Sequence, residues 1–323
     1  MGREHPLTPG SSRVTRRRLL AGSGLVGAGL LTRQFVTLPD LPLEDLIETY
    51  TNESSQFRRL EGATVHVRDE GPRDAEVIVL VHGFAASLHT WEGWVTHLSD
   101  EYRIVSLDLP GFGLTGPNER NEYGQRVYVE VVEALAQALE LETFTVGGNS
   151  MGGGVSWRYA LEYPERVDGL VLVDAVGYQS DEDDDGPALL GLTDVPVVSD
   201  LFRYVAPRAM VRGLLESAYG DPDQVSSELV DRYHDLLRRP GNREAIGQLG
   251  AVSDPEAIDR IDAIEAPTLI LWGELDTWVP PDHATRFLED LPDASLITYG
   301  DLGHVPMEED PERTVTDVRY FLE

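Results

Sequence analysis

The stretch 147-GGNSMGGG-154 sets a single hydroxyl among five glycines. Three kinds of structure use such a composition: a loop that cradles phosphate, a closely packed helix interface, and a tight turn that presents a nucleophile. The stretch follows an apolar run, Phe144-Thr145-Val146, and opens a helical pattern. Phosphate loops and nucleophile turns share that context, so spacing has to separate them. The dinucleotide pattern G-x-G-x-x-G fails in both registers, because its third position falls on Asn149 counted from Gly147 and on Ser150 counted from Gly148. A Walker A loop needs lysine, and all 26 basic residues of this chain are arginine. Gly148-Asn149-Ser150-Met151-Gly152 instead fits G-x-S-x-G, in which a strained strand-to-helix turn pushes the serine hydroxyl outward. Small residues two before and two after leave room for that turn.

The surrounding pattern supports a turn at the edge of a sheet. Short runs rich in Val, Ile and Leu occur at 75–83, 102–111, 143–150, 168–175 and 266–276, with a shorter one at 295–300. They read as buried parallel strands. Helical patterns lie between them at 127–140, 152–164 and 280–292. This alternation predicts an α/β, doubly wound, mostly parallel sheet with helices on both faces, and ligands in such sheets bind at the carboxyl ends of the strands. The alternation is interrupted between 177 and 255, where helical patterns continue without a strand. That length is too great for a loop and predicts a helical cap. The expected division is therefore a core of 56–176 and 256–323 with a cap of 177–255. The acidic run 181-DEDDDG-186 reads as a solvated loop.

A serine hydroxyl is a weak nucleophile and needs a base. In this architecture the partners follow in the chain order Ser, acid, His. His283 and His304 lie beyond the next acids. His283 sits in a helical pattern after Pro280-Pro281 and reads as a helix-surface residue. His304 sits in a loop after the last strand, at the rim where a base is required, and is the expected base. Asp276 ends the run 266–276 and is the expected acid. Asp174, ending 168–175, is the alternative. The oxyanion needs two backbone donors. The N–H groups of Met151, just after the nucleophile, and of Phe84, in the HGFAAS stretch after an earlier strand, fill those places. His82 and Asp108 precede the serine in the chain and read as loop-orienting residues.

Taken together, VHGF, DLPGFGLTG, GNSMGG, WGELDTWVP and GHVPMEEDPE resemble the α/β-hydrolase fold superfamily over about residues 60–323, in its serine-nucleophile branch. The resemblance implies a sheet of about eight strands with the cap inserted after strand 6, and a Ser150-Asp276-His304 triad working through an acyl-enzyme. GNSMGG and the cap look like those of carboxylesterases and of meta-cleavage carbon–carbon hydrolases. Serine at 150 departs from haloalkane dehalogenases and epoxide hydrolases, which carry aspartate there. No cofactor or metal is expected, and the expected partner is a small-molecule substrate. Ester hydrolysis is the leading expectation. Carbon–carbon bond hydrolysis, a cofactor-free perhydrolase or acyltransferase, and a ligand-binding protein on a hydrolase scaffold are the alternatives.

Bulk properties narrow the setting. The chain has 323 residues, no cysteine and a formal net charge of −31. Absence of cysteine excludes disulfides, thiolate metal sites and a cysteine nucleophile. The charge disfavours nucleic acid and anionic lipid. Self-repulsion of that size, screened by salt, points to a protein suited to concentrated salt; an acidic protein from a GC-rich genome is the alternative. Circular dichroism against salt concentration checks it. Unfolding below roughly molar salt is expected, and a fold indifferent to salt would overturn the salt-adapted reading.

The N-terminus reads differently from the body. Arginines at 13, 16, 17 and 18 precede an apolar, glycine-rich run from Leu19 to Leu31. Thirteen helical residues reach only ~20 Å against ~30 Å of hydrocarbon. Residues 1–33 therefore read as an export signal resembling the twin-arginine type, or as a membrane anchor. Residues 34–55, with breakers Pro39 and Pro42, read as a polar tether. The expected location is exported or anchored at the outer face, with the cytoplasm as the alternative if the segment is no signal.

Overall fold

Valine, isoleucine and leucine dominate most of the inner strands because these strands are buried on both faces. A computed structural model describes residues 38–178, 207–249 and 254–323. Two units are separated at Leu38, and all that follows concerns the second, Pro39–Glu323. Its sheet has eight strands in the order β1-β2-β4-β3-β5-β6-β7-β8. These are β1 Ser55–Leu60, β2 Ala63–Glu70, β3 Val77–Val81, β4 Arg103–Leu107, β5 Phe144–Asn149, β6 Val167–Val173, β7 Thr268–Gly273 and β8 Ala294–Tyr299. The strands from β3 onward pair in parallel, and β1 and β2 add an antiparallel edge. Residues of β5 and β7 are buried throughout, as expected of central parallel strands covered by helices on each side.

The six parallel strands fall where the apolar runs predict them, one or two residues shorter at most ends. The β1–β2 hairpin is the part that hydrophobic pattern does not reveal. Its turn is Glu61-Gly62, with φ of 43° and 79°, and Leu60 pairs directly with Ala63. Two left-handed residues in a two-residue loop match the twist of the flanking strands. Arg58 and Arg59 sit on the edge strand, where charge discourages pairing with another chain.

The stretch read as a tether departs from that expectation. Leu43–Tyr50 is a helix, and its buried Leu46 packs with Leu114 and Leu236. Tyr50 donates to Asp235 at 3.0 Å, Arg238 Nε donates to the Pro39 carbonyl at 3.0 Å, and Arg243 pairs with Asp40. Two prolines and several acids masked a short amphipathic helix whose apolar side has a partner only in the folded chain. The expected leader, 1–33, lies outside the described residues. Among the described residues no helix is long and apolar enough to cross a membrane.

Within 177–255 the described residues form the helices Arg208–Ala218, Ser227–Leu237 and Asn242–Ile246, and no strand. The acidic run 181–186 and the rest of 179–206 lie outside the described residues.

Candidate active site

Ser150 stands between β5 and the helix Met151–Glu162 with φ 55° and ψ −120°, a conformation that costs a non-glycine residue energy. The surroundings hold it there. Its N–H donates to the Val173 carbonyl at 3.0 Å, and its own carbonyl accepts from Gly154 at 3.0 Å and Val176 at 3.1 Å. The glycines now have separate reasons. A side chain at Gly148 would overlap the Gly152 backbone, and one at Gly152 would overlap the carbonyls of Val81 and His82. One at Gly153 would run into Ala175. The helix can approach β3, β5 and β6 this closely only without those β-carbons.

His304 lies in the loop after β8, and its ring is almost fully buried. Its Nδ1 donates to Asp276 Oδ2 at 2.7 Å. Asp276 follows β7, and its Oδ1 accepts from the N–H groups of Trp278 at 2.7 Å and Val279 at 3.1 Å. The aspartate is thus fixed by its own loop before it meets the imidazole. His304 is fixed from two further sides. Its N–H donates to the Ala218 carbonyl at 2.7 Å, and its carbonyl accepts from Asn149 Nδ2 at 2.9 Å. The indole of Trp278 stacks on the imidazole, centroids 5.1 Å apart and planes 28° apart, and its Nε1 donates to Ser217 Oγ at 3.0 Å. A bond from Asn149 to His304 joins the residue before the serine to the residue expected as its base. The Ser150 hydroxyl itself makes no hydrogen bond to His304 among the described contacts. Such bonds often form only when substrate is in place.

The expected oxyanion donors flank the serine. Met151 N–H belongs to the first turn of its helix, where backbone donors have no partner within the helix. Phe84 lies in the turn after β3 that closes with Ala86 N–H donating to Gly83 at 3.4 Å. A β-carbon on Gly83 would come 3.2 Å from the Ser150 β-carbon, so this turn lies directly against the serine.

His82 and Asp108 behave as loop anchors. Leu109 N–H donates to His82 Nε2 at 3.0 Å, which leaves the proton on Nδ1 to bond Gly83 O at 2.7 Å. Burial holds this ring below the usual imidazole range and so neutral, despite the opposing charge of Asp108. Asp108 accepts from Leu88 and Leu114 N–H, each at 2.8 Å, and pairs with His66 at 2.8 Å. His283 differs from the helix-surface expectation. It is buried and meets Tyr178 edge-on at 5.7 Å, because its helix turns that side toward the sheet.

Asp174 directly follows β6, at the same rim. One donor atom from each of Asp174, Asp276 and His304 lies within 4.8 Å of the others, the only such set among the described residues with spacing for a metal ion. One imidazole and two carboxylates supply three of the four protein ligands typical of a structural zinc site, and the imidazole Nδ1 is already engaged with Asp276. Next to this rim, an apolar pocket is lined by Phe84, Val211, Leu215, Tyr233, Leu237 and Trp278.

A sequence profile described as alpha/beta hydrolase fold matches residues 76–311. The chain belongs to that family. The eight-stranded, mostly parallel sheet flanked by helices is that fold, and the protein is an α/β-hydrolase enzyme. An uncharacterised protein of Mycobacterium tuberculosis is 30% identical over 282 residues, covering 83% of this chain and 81% of the relative. A 2-hydroxy-6-oxononadienedioate/2-hydroxy-6-oxononatrienedioate hydrolase of Comamonas testosteroni is 27% identical, covering 76% and 86%. Among solved structures, a meta-cleavage product hydrolase from Pseudomonas fluorescens superposes with a TM-score of 0.72 at 26% identity, covering 83% of this chain and 97% of that one.

Proposed function

We propose that the protein is a serine hydrolase that cleaves an ester or related acyl bond in a small, largely apolar substrate. Ser150 Oγ attacks the carbonyl carbon while His304 Nε2 takes its proton. Asp276 holds the imidazole with its proton on Nδ1 and stabilises the imidazolium. The N–H groups of Phe84 and Met151 receive the oxyanion. The tetrahedral intermediate collapses, the C–O bond to the leaving group breaks, and the imidazolium protonates the departing alcohol. Water, deprotonated by His304, then attacks the acyl-enzyme; its collapse returns the proton to Ser150 and frees the acid. The observation that carries this reading is a serine in strained backbone at the rim that also holds an Asp276–His304 bond of 2.7 Å. The apolar lining of the adjacent pocket supports an apolar acyl or aryl group.

The relatives favour a second reading, hydrolysis of a carbon–carbon bond in a diketone-like substrate by the same three side chains. Our proposal also takes in the N-terminal segment as an export or anchoring signal, with the enzyme acting outside the cytoplasm and the helices of 177–255 forming the cap.

A fluorophosphonate probe tests the nucleophile. Intact protein is expected to take up one label, mapped to Ser150, and Ser150→Ala is expected to take up none. Esters of graded chain length, run beside a vinylogous diketone in low and high salt, separate the two readings. Folded protein that stays unlabelled would overturn both.

A further inference from the structure

Two carboxyl groups converge where the proposed mechanism needs only one. Asp174 is fully buried at the end of β6 and takes a left-handed conformation, φ 45°. Its Oδ1 accepts the Gly273 N–H at 3.0 Å. Its Oδ2 is buried and faces no N–H or O–H donor. Asp276 is the near neighbour: a carboxyl oxygen from each of the two residues lies within 4.8 Å of the other and of a His304 nitrogen.

The negative charge belongs on Asp276. That carboxylate has three donors: Trp278 N–H, Val279 N–H and His304 Nδ1. Asp174 has one. The titratable groups that face Asp174 are Asp276 from the loop after β7, His304 and Glu309 from the segment after β8, and Tyr299 at the end of β8. Glu309 is itself tied to the Gly303 and Gly220 N–H groups at 2.7 Å each. Burial pushes Asp174 well above the usual carboxylate range, and the neighbouring charge of Asp276 pushes it further. Two like acceptors in a buried contact are reconciled by a proton between them.

We infer that Asp174 is a positioning residue for the proposed reaction: a neutral carboxylic acid whose O–H donates a hydrogen bond to Asp276. The inference rests on the reading of Asp276 and His304 as the acid–base pair. It adds a fourth member behind the triad, held by β6 and invisible to substrate. The donated bond stabilises the Asp276 charge, so that less of it is offered to the imidazolium. It also keeps Asp276 from rotating away from His304.

The sign of the effect follows. Removing the donor leaves Asp276 more basic and the imidazolium better stabilised, so His304 stays protonated to higher pH. The rate of inactivation by diisopropyl fluorophosphate, followed across the range where imidazole titrates, reads this without a known substrate. Asp174→Asn places an amide donor toward Asp276, keeps an acceptor for Gly273 N–H and suits the left-handed backbone. It is expected within about threefold of the parent, with the same pH midpoint. Asp174→Ala is expected to raise the midpoint by about half a unit or more. Infrared difference spectra of parent against Asp174→Asn at neutral pH give a second readout, which holds even if the alanine variant fails to fold. The carbonyl stretch of a neutral carboxylic acid is expected in the parent and missing from the variant.

An unshifted midpoint in folded Asp174→Ala, or absence of that infrared band from the parent, overturns the inference alone. Full activity in Asp276→Asn alongside a dead Asp174→Asn overturns it together with the assignment of Asp276 as the acid, since Asp174 would then be the charged acid. Folded parent protein that takes up no probe at Ser150 overturns the functional reading, and this inference with it.

Discussion

Replacing His304 with alanine is expected to lower kcat on a 4-nitrophenyl ester by about a millionfold, with the fold intact. The size follows from what the imidazole does. In the proposed mechanism, losing it leaves the Ser150 hydroxyl with no group positioned to take its proton, and the leaving alcohol with none to supply one. The surroundings say that the loss is chemical rather than structural. The loop is held by backbone bonds that alanine retains: His304 N–H to Ala218, and Asn149 to the His304 carbonyl. Asp276→Asn keeps its shape but favours the wrong imidazole tautomer, and is expected to cost about 10⁴. Steady-state rates with circular dichroism on each variant check both. A His304→Ala protein within tenfold of the parent would show that the base lies elsewhere.

The second large effect is on folding. Gly152→Ala is expected to destabilise the protein by about 3 kcal/mol or more, enough to remove most of the folded population of a marginal domain. The new methyl group would overlap two backbone carbonyls, those of Val81 and His82, which belong to β3 and its exit and cannot swing aside as a side chain can. Relief would require the helix Met151–Glu162 to back away from the sheet and take the Ser150 turn with it. Gly213→Ala is the matched control. It lies in the exposed part of the helix Arg208–Ala218 with nothing within 4 Å of the added carbon, and is expected to stabilise by about 0.5–1 kcal/mol. Urea unfolding of the two variants beside the parent checks the pair. Equal stability of all three would mean that the elbow is looser than these contacts allow.

The candidate site was legible where its geometry is local in the chain. Gly148 to Gly152 spells out its own turn, because the backbone strain and the steric demands both fall within five residues. Asp276 and His304 were legible from their places at strand ends, since every loop at that rim faces the same way. Asp174 was visible as a candidate but not in its role. Its protonation depends on burial, on the bond from Gly273 and on a neighbour about a hundred residues away, none of which leaves a mark in composition or period. The hairpin of β1 and β2 hid for another reason: its edge strand carries polar residues at positions that a core-facing alternation would make apolar. A two-residue turn written Glu-Gly was the available signal. The stacking of Trp278 on His304 was equally out of reach, because it joins two loops through ring geometry alone.

The short helix Leu43–Tyr50 bears on where the body of the protein begins. Its grip on Leu236 and Asp235 joins it to the helix Ser227–Leu237, the same segment that supplies Tyr233 and Leu237 to the apolar pocket. Processing that stops upstream of Pro39 would leave this strap whole. Trimming to residue 56 would strip a clamp from the helix that lines the apolar pocket, and the pocket would feel the cut although none of its lining residues had been removed.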